Sequence, residues 1–255
     1  MYFTYSYLIP NFLCDRNDTL TMWGVARLFQ EVAGFHVDAA NMGFSTLISQ
    51  GKAWVLCRAH YQVEKLPHEG EHIMLKTWSR GTDGLYAFRE FQMYDQQGNI
   101  LVASTANWAI IDYNARHVVR LQDMMDHFES HPEFATDCQK LGRLRLPKEA
   151  SFAPPVAQFS VKPSMLDHTG HVNNAEYIKW IFDNLPHTDF LSAPFCFNIE
   201  YLMETQLTET VTLSHCQLPE CANVACSSSA APRRVSTYFQ ITNPRSVAVI
   251  ANLIK

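Results

Sequence analysis

The sequence holds no Cys-x-x-Cys pair, although it carries seven cysteines (Cys14, Cys57, Cys138, Cys196, Cys216, Cys221 and Cys226). An odd number at scattered spacing argues against a disulfide framework and for free thiols in a reducing compartment. Cys216, Cys221 and Cys226 are evenly spaced, but no histidine or cysteine completes a zinc set around them, so no metal is expected. No apolar run reaches the roughly eighteen residues of a membrane-spanning helix. The opening residues, Met1-Tyr-Phe-Thr-Tyr-Ser-Tyr7, alternate like a strand and lack the basic and apolar regions of a secretory signal. An Arg/Ser-rich transit segment is also missing, and these absences together predict a cytoplasmic protein. Basic charge is in short supply: 20 Lys+Arg face 25 Asp+Glu, for a net charge of −5. That excludes a general nucleic-acid binder. The stretch Gly43-Phe-Ser-Thr-Leu47 lacks the second glycine of a nucleophile elbow. There is no Gly-x-x-x-x-Gly-Lys loop and no well-placed dinucleotide fingerprint, and no cofactor is expected.

What is present is a chain of 255 residues, enough for one large domain or two of about half that size. Sixteen Phe, ten Tyr and five Trp suit large cores or an apolar pocket. Tyr2 to Ile9 reads as a strand, broken by Pro10 and the polar Asp15-Arg-Asn-Asp18. Thr19 or Thr21 can cap a helix. Met22, Val25, Leu28/Phe29, Val32, Phe35/His36 and Ala39 recur at helical steps, and this helix ends near Gly43. Gly24 and Gly34 cost about 1 kcal/mol each against Ala inside a helix, which close packing on a sheet would offset. Strand-like runs follow at 53–63, 72–80, 85–94 and 100–112, separated by Pro67-His-Glu-Gly70, Gly81-Thr-Asp-Gly84 and Asp95-Gln-Gln-Gly-Asn99. The pattern is α+β, with an antiparallel sheet wrapped around a long helix. A short amphipathic helix is expected over 121–129.

Residues 131–155 read as a linker between a first domain, 1–130, and a second, 156–255. It carries Pro132, Pro147, Pro154 and Pro155 and the basic run Lys140-Leu-Gly-Arg-Leu-Arg-Leu-Pro-Lys148. The second half repeats the order of the first: a strand at 158–161, a helix at 174–184 stopped by Pro186, then strands at 195–202, 210–218, 235–242 and 247–254. A weak internal repeat supports the duplication. Asp15-Arg-Asn-Asp-Thr-Leu20 corresponds to Asp167-His-Thr-Gly-His-Val172. Glu64-Lys-Leu-Pro67 corresponds to Glu200-Tyr-Leu-Met203, each before a strand, with Ile73/Leu75 matching Val211/Leu213. Only the second copy brings a histidine to the helix entry. The first has Thr19 there, read as a cap and nothing more.

That second copy, Asp167-His-Thr-Gly-His-Val-Asn-Asn-Ala-Glu-Tyr177, packs a carboxylate, two histidines and two amides against the start of a helix. A helix N-terminus offers unpaired N–H groups and partial positive charge, so the cluster suits acyl transfer. His168 carries little weight, and Asn173 or Asn174 can equally serve as an N-cap.

At these residues the chain resembles the acyl-acyl carrier protein thioesterases of bacteria and plant plastids. The family pattern Asp-x-Asn-x-His-Val-Asn-Asn-x-x-Tyr is met from Asp167 to Tyr177, with Trp180 beyond it. Glu200-Tyr-Leu-Met-Glu204 matches a second signature. Trp54 before Arg58, Gly70-Glu71 leading to Thr77-Trp78, and Trp108-Ala-Ile-Ile-Asp112 are also similar to the family. The resemblance implies two tandem hot-dog domains, with an acyl-chain pocket in the first and a hydrolytic site in the second. It implies one network of Asp167, Thr169, His171 and Glu204. The sequence departs from the pattern at Thr169, where the family has Asn, and at Thr205, where a cysteine usually follows the glutamate. With no thiolate at that place, catalysis would use water.

Thioester hydrolysis needs an activated water, an oxyanion site and a proton for the leaving thiol. His171 suits proton transfer near neutrality. Asp167 or Glu204 activates the water, and the sequence does not rank them. The backbone N–H groups of Val172, Asn173 and Asn174 are the expected oxyanion donors. The implied partner is acyl carrier protein bearing a phosphopantetheine-linked fatty acyl chain. That carrier is acidic, so a basic patch from the linker run or Arg233-Arg234 is expected. A homodimer is left open. Two other readings stand beside this one: an acyl-CoA thioesterase, and a non-catalytic acyl-binding protein that kept the fold.

Overall fold

Thr21 starts the first long helix. Its Oγ1 accepts the Gly24 N–H at 3.0 Å and donates to the Leu13 carbonyl at 2.9 Å, satisfying a helix-end donor and tying the cap to the preceding turn. In this computed structural model, which describes residues 2–115, 117–121, 129–152, 154–185, 192–219 and 235–255, α1 runs over Met22–Ala39. It buries Met22, Val25, Ala26, Leu28, Phe29, Val32 and Ala33 on one stripe. Phe29 stacks on Phe91 and on Tyr61, with ring centroids 4.9 and 6.4 Å apart. The two helix glycines are not explained by packing on the sheet. A Cβ at Gly24 would lie 2.7 Å from Leu20 Cδ1 and 2.9 Å from Leu13 O, both in the loop before the helix. At Gly34 it would meet nothing within 4 Å.

The chain divides into two compact units, Met1–Leu141 and Gly142–Lys255, and the division falls inside the 131–155 stretch. In the first unit the strands are β1 (Phe3–Leu8), β2 (Lys52–Val63), β3 (His72–Thr82), β4 (Ala87–Tyr94), β5 (Ile100–Asp112) and β6 (His117–Val119). They pair antiparallel in the order β1-β3-β4-β5-β2, with β6 on β5. A six-residue helix, α2 (Phe44–Ser49), follows α1 and was not expected, nor was the three-residue β6; both are too short to show a period. Strand β4 begins later than expected because Asp83 Oδ1 holds the N–H groups of Leu85 and Tyr86 in a turn.

The second unit has β7 (Ala157–Ser160), α3 (Asn174–Asp183), β8 (Phe195–Tyr201), β9 (Thr210–Pro219), β10 (Val235–Thr242) and β11 (Val247–Ile254). Its strands pair antiparallel in the order β7-β9-β10-β11-β8, the same path as β1-β3-β4-β5-β2. Helix α3 buries Ala175, Tyr177, Ile178, Trp180 and Ile181. The expected helix over 121–129 and the pair Arg233-Arg234 lie outside the described residues, as do Cys221 and Cys226.

The duplication extends to single hydrogen bonds. Asp15 N–H donates to Thr19 O and Asp167 N–H to His171 O, each at 2.8 Å. Leu20 N–H donates to Pro67 O and Val172 N–H to Thr205 O, each at 2.9 Å. The loop residue at left-handed φ is Asp18 (58°) in one copy and Gly170 (82°) in the other. Two sequence correspondences need correction. Thr19 is not the cap: Thr21 is, matching Asn173 in the second copy. Glu64 matches Leu202, not Glu200, because both Glu64 and Lys65 donate to Leu101 O as Leu202 and Met203 donate to Ala248 O. Glu204 therefore corresponds to Leu66. Pattern matching slipped by two residues because a glutamate recurred nearby by chance.

Each sheet also holds a buried glutamate that grips passing chain. Glu90 Oε2 accepts the Ala135 N–H at 3.0 Å, and Glu200 Oε2 accepts the Leu144 N–H at 2.7 Å. Glu90 is further paired to Arg80 Nε at 2.9 Å. Burial, the largest effect, still pushes its carboxyl above the usual range.

Candidate active site

The loop 167–173 is shaped by Asp167. Its Oδ1 accepts the N–H of Thr169 at 2.8 Å and of His171 at 3.3 Å, and the Thr169 hydroxyl at 2.6 Å. An aspartate bonded to backbone two residues on is an Asx turn, the local chemistry Asp is favoured for. The Gly170 N–H closes the turn onto Asp167 O at 3.1 Å. The loop then enters α3, where Asn173 Oδ1 accepts the Ala175 N–H at 2.9 Å. Asn173 is thus the N-cap.

From Thr169 a chain of contacts runs outward. Its Oγ1 lies 3.1 Å from His171 Nδ1. The other ring nitrogen, Nε2, lies 3.2 Å from Glu204 Oε2. The hydroxyl has a single proton. Given to Asp167 at the shorter distance, it leaves the oxygen to accept from Nδ1–H. His171 Nε2 then faces Glu204 Oε2 at 3.2 Å, a contact that is an ion pair only when the ring is protonated. The His171 side chain is 23% exposed and the Glu204 side chain 46% exposed, so the outer end of the relay is open to water. Asp167 Oδ1 is taken up by three donors of its own loop, whereas Glu204 lies at the exposed end of the relay. The two carboxylates, which the sequence does not rank, thus have different surroundings.

The expected oxyanion donors fare unequally. Val172 N–H is committed to Thr205 O and Asn173 N–H to Met165 O, each at 2.9 Å. These two are corrected: the loop spends them on its own fold. Asn174, the first residue of α3, has no backbone N–H partner among the described residues. His168 is exposed and stands outside the relay.

Thr205, fully buried beside Glu204, is a junction. Its hydroxyl bonds to Tyr177, whose phenol burial pushes up to about 12, against the lowering pull of that bond. It also accepts from Asn243 Nδ2 at 3.3 Å. Asn243 Nδ2 and Arg245 Nη2 both donate to the Glu204 carbonyl, at 3.0 and 2.6 Å. Sequence reasoning missed Asn243 and Arg245. The only signal there, Asn-Pro between two strands, marks a hairpin and says nothing about a site. No group of three metal-ligating side chains occurs among the described residues.

Family models match almost end to end. The acyl-ACP thioesterase N-terminal domain covers residues 1–128, and the C-terminal domain covers 149–248. The chain belongs to the acyl-ACP thioesterase family. Among its relatives, oleoyl-acyl carrier protein thioesterase 2 of Arabidopsis thaliana is 27% identical over 199 residues, 71% of this chain and 53% of that protein. The chain spans about half the length of the curated relatives it matches. Solved structures share the fold. An acyl-ACP thioesterase from Bacteroides thetaiotaomicron superposes with a TM-score of 0.72 at 21% identity, covering 100% of this chain and 98% of that one. A Lactobacillus plantarum chain assigned as an oleoyl thioesterase gives 0.83 at 21% identity, covering 100% and 95%. The fold is therefore the α+β hot-dog architecture of this family, repeated in tandem. No helix among the described residues is long and apolar enough to cross a membrane.

Proposed function

We propose that this family member hydrolyses the thioester of fatty acyl-acyl carrier protein, releasing free fatty acid and carrier thiol. The observation that carries the reading is the unbroken relay Asp167–Thr169–His171–Glu204, with its open end at Glu204. Glu204 and His171 Nε2 orient a water and take its proton as its oxygen attacks the carbonyl carbon. The resulting oxyanion lies against the N-terminus of α3, where the Asn174 N–H is the donor left over by the loop. Collapse breaks the C–S bond, and His171 returns the proton to the departing sulfur. Asp167 and Thr169 hold the imidazole and do not meet substrate. The first unit, which lacks the histidine and carboxylate of the relay, takes the acyl chain. Each methylene buried there adds about 0.8 kcal/mol to binding.

Steady-state hydrolysis of acyl-carrier and acyl-CoA series tests this, with wild type, His171→Ala and Glu204→Gln. Wild type is expected to prefer the carrier thioesters, and each variant to lose about 10²–10⁴-fold in kcat. Turnover of neither thioester by wild type sinks the reading. Full activity in His171→Ala sinks the site assignment and spares the fold. A preference for acyl-CoA reassigns the carrier.

A further inference from the structure

We propose that Asn243, with Arg245, is the positioning device of the proposed water-activating carboxylate, acting through the main chain of Glu204; this rests on the reading of the site given above. Glu204 sits in the turn after β8, half exposed, with nothing but His171 against its carboxylate among the contacts described. A side chain so placed samples several rotamers unless its backbone is fixed. The fixing comes from the β10–β11 hairpin. Asn243 uses its two ends differently. Its Oδ1 accepts the N–H groups of Arg245 and Ser246, each at 3.0 Å, and so folds the hairpin tip. Its Nδ2 donates to the Glu204 carbonyl at 3.0 Å and to the Thr205 hydroxyl at 3.3 Å. Asn243 is buried, so both donors are spent away from water. Arg245 adds a charged donor to the same carbonyl at 2.6 Å. It is itself aimed by Glu209, whose Oε1 lies 3.1 Å from Nε. Glu209 in turn accepts the Gln206 N–H at 2.8 Å, closing the turn that contains Glu204.

The internal duplication supplies an independent comparison. The matching hairpin tip of the first unit is Asp95, whose Oδ1 accepts the N–H groups of Gln97 and Asn99 in a turn one residue longer. There the residue matching Glu204 is Leu66, and the tip side chain has no N–H to donate. The unit with a reacting carboxylate has the amide; the unit without one has the acid. Asp95 also shows that an aspartate supports this turn.

Asn243→Asp is therefore a selective test, since it keeps the folding half of the side chain and removes the donating half. Arg245→Gln is the second variant. Misplacement by about 1 Å can cost on the order of 100-fold in rate. Asn243→Asp is expected to lower kcat by about 10- to 100-fold, with KM for the acyl-carrier substrate changed less than about threefold and a single cooperative melt retained. In a Glu204→Gln background the same substitution is expected to cost less than about twofold more, because its effect runs through that carboxylate. An undiminished kcat in both Asn243→Asp and Arg245→Gln overturns the inference, as does a loss that multiplies fully with that of Glu204→Gln. Glu204→Gln with wild-type turnover overturns instead the reading of the site on which it rests.

Discussion

Thr169 does with one hydroxyl what the family pattern assigns to an amide. At 2.6 Å from Asp167 and 3.1 Å from His171 Nδ1, its oxygen is donor on one side and acceptor on the other. A threonine has one donor and spare lone pairs, so it passes on orientation without needing the amide's reach. Thr169→Val keeps the volume and deletes the relay. It is expected to reduce kcat by at least about tenfold, in keeping with the roughly 1.5–3 kcal/mol of a hydrogen bond to a charged group. Thr169→Ser is expected to stay within about threefold of wild type in the same hydrolysis assay. The carboxylate, imidazole and distant Glu204 were legible in the sequence because residue type, spacing and resemblance coincide there. What Thr169 does was not, because counting lost donors overlooks the 2.6 Å contact that makes one donor sufficient. Asn243 was illegible for a different reason. It reaches Glu204 across a hairpin from 39 residues away, and nothing local in a turn asparagine announces a distant carbonyl.

At the scale of the element, the two glycines of α1 are opposite cases. Glycine costs about 1 kcal/mol relative to alanine in a helix interior. At Gly34 nothing occupies the space of a Cβ, and Gly34→Ala is expected to stabilise the protein by about that amount. At Gly24 the added carbon would meet a main-chain oxygen at 2.9 Å, and Gly24→Ala is expected to destabilise by about 1–3 kcal/mol. Urea denaturation of both variants checks the pair; equal shifts would refute the contrast. The period of α1 was readable from its apolar stripe. The reason for each glycine was not, since it lies in loop atoms that the helix pattern does not contain. Helix α2 escaped for want of length, although Gly43 before it marks a close approach: a Cβ there would come within 1.6 Å of Asp38 Oδ1.

Across the whole molecule, the succession of strands and the duplication were legible because period-two runs and turn signals alternate cleanly in both halves. The interior polar groups of the first unit were not. His36, on α1, has its Nδ1 3.0 Å from Arg89 Nη1 on β4, which needs the lone pair of a neutral ring. Burial first, and the Arg89 charge second, push the imidazole down to about 4. Burial also lowers Arg89, to about 10. A histidine depressed on folding contributes stability that is whole above its ordinary value near 6.5 and is lost as pH falls through the folded value. Stability should thus decline between about pH 6.5 and 4. His36→Gln, which keeps an acceptor and removes the titration, should flatten that decline by on the order of 2 kcal/mol, allowing for the ring's partial exposure. Chemical denaturation at stepped pH reads the difference, and parallel curves for the two proteins would count against it.

The Asx turn is used twice, once in each half of the chain. Asp15 already occupies the place of Asp167, and Asn17 puts the family's amide where the second copy has Thr169. The backbone bonds of the two loops match, although the hairpin tip of the first unit is one residue longer. Where the second copy has His171, Glu204 and Asn243, the first has Thr19, Leu66 and Asp95. Under the proposed function, the chemistry of the second half is thus set by side chains placed on a loop scaffold that both halves share.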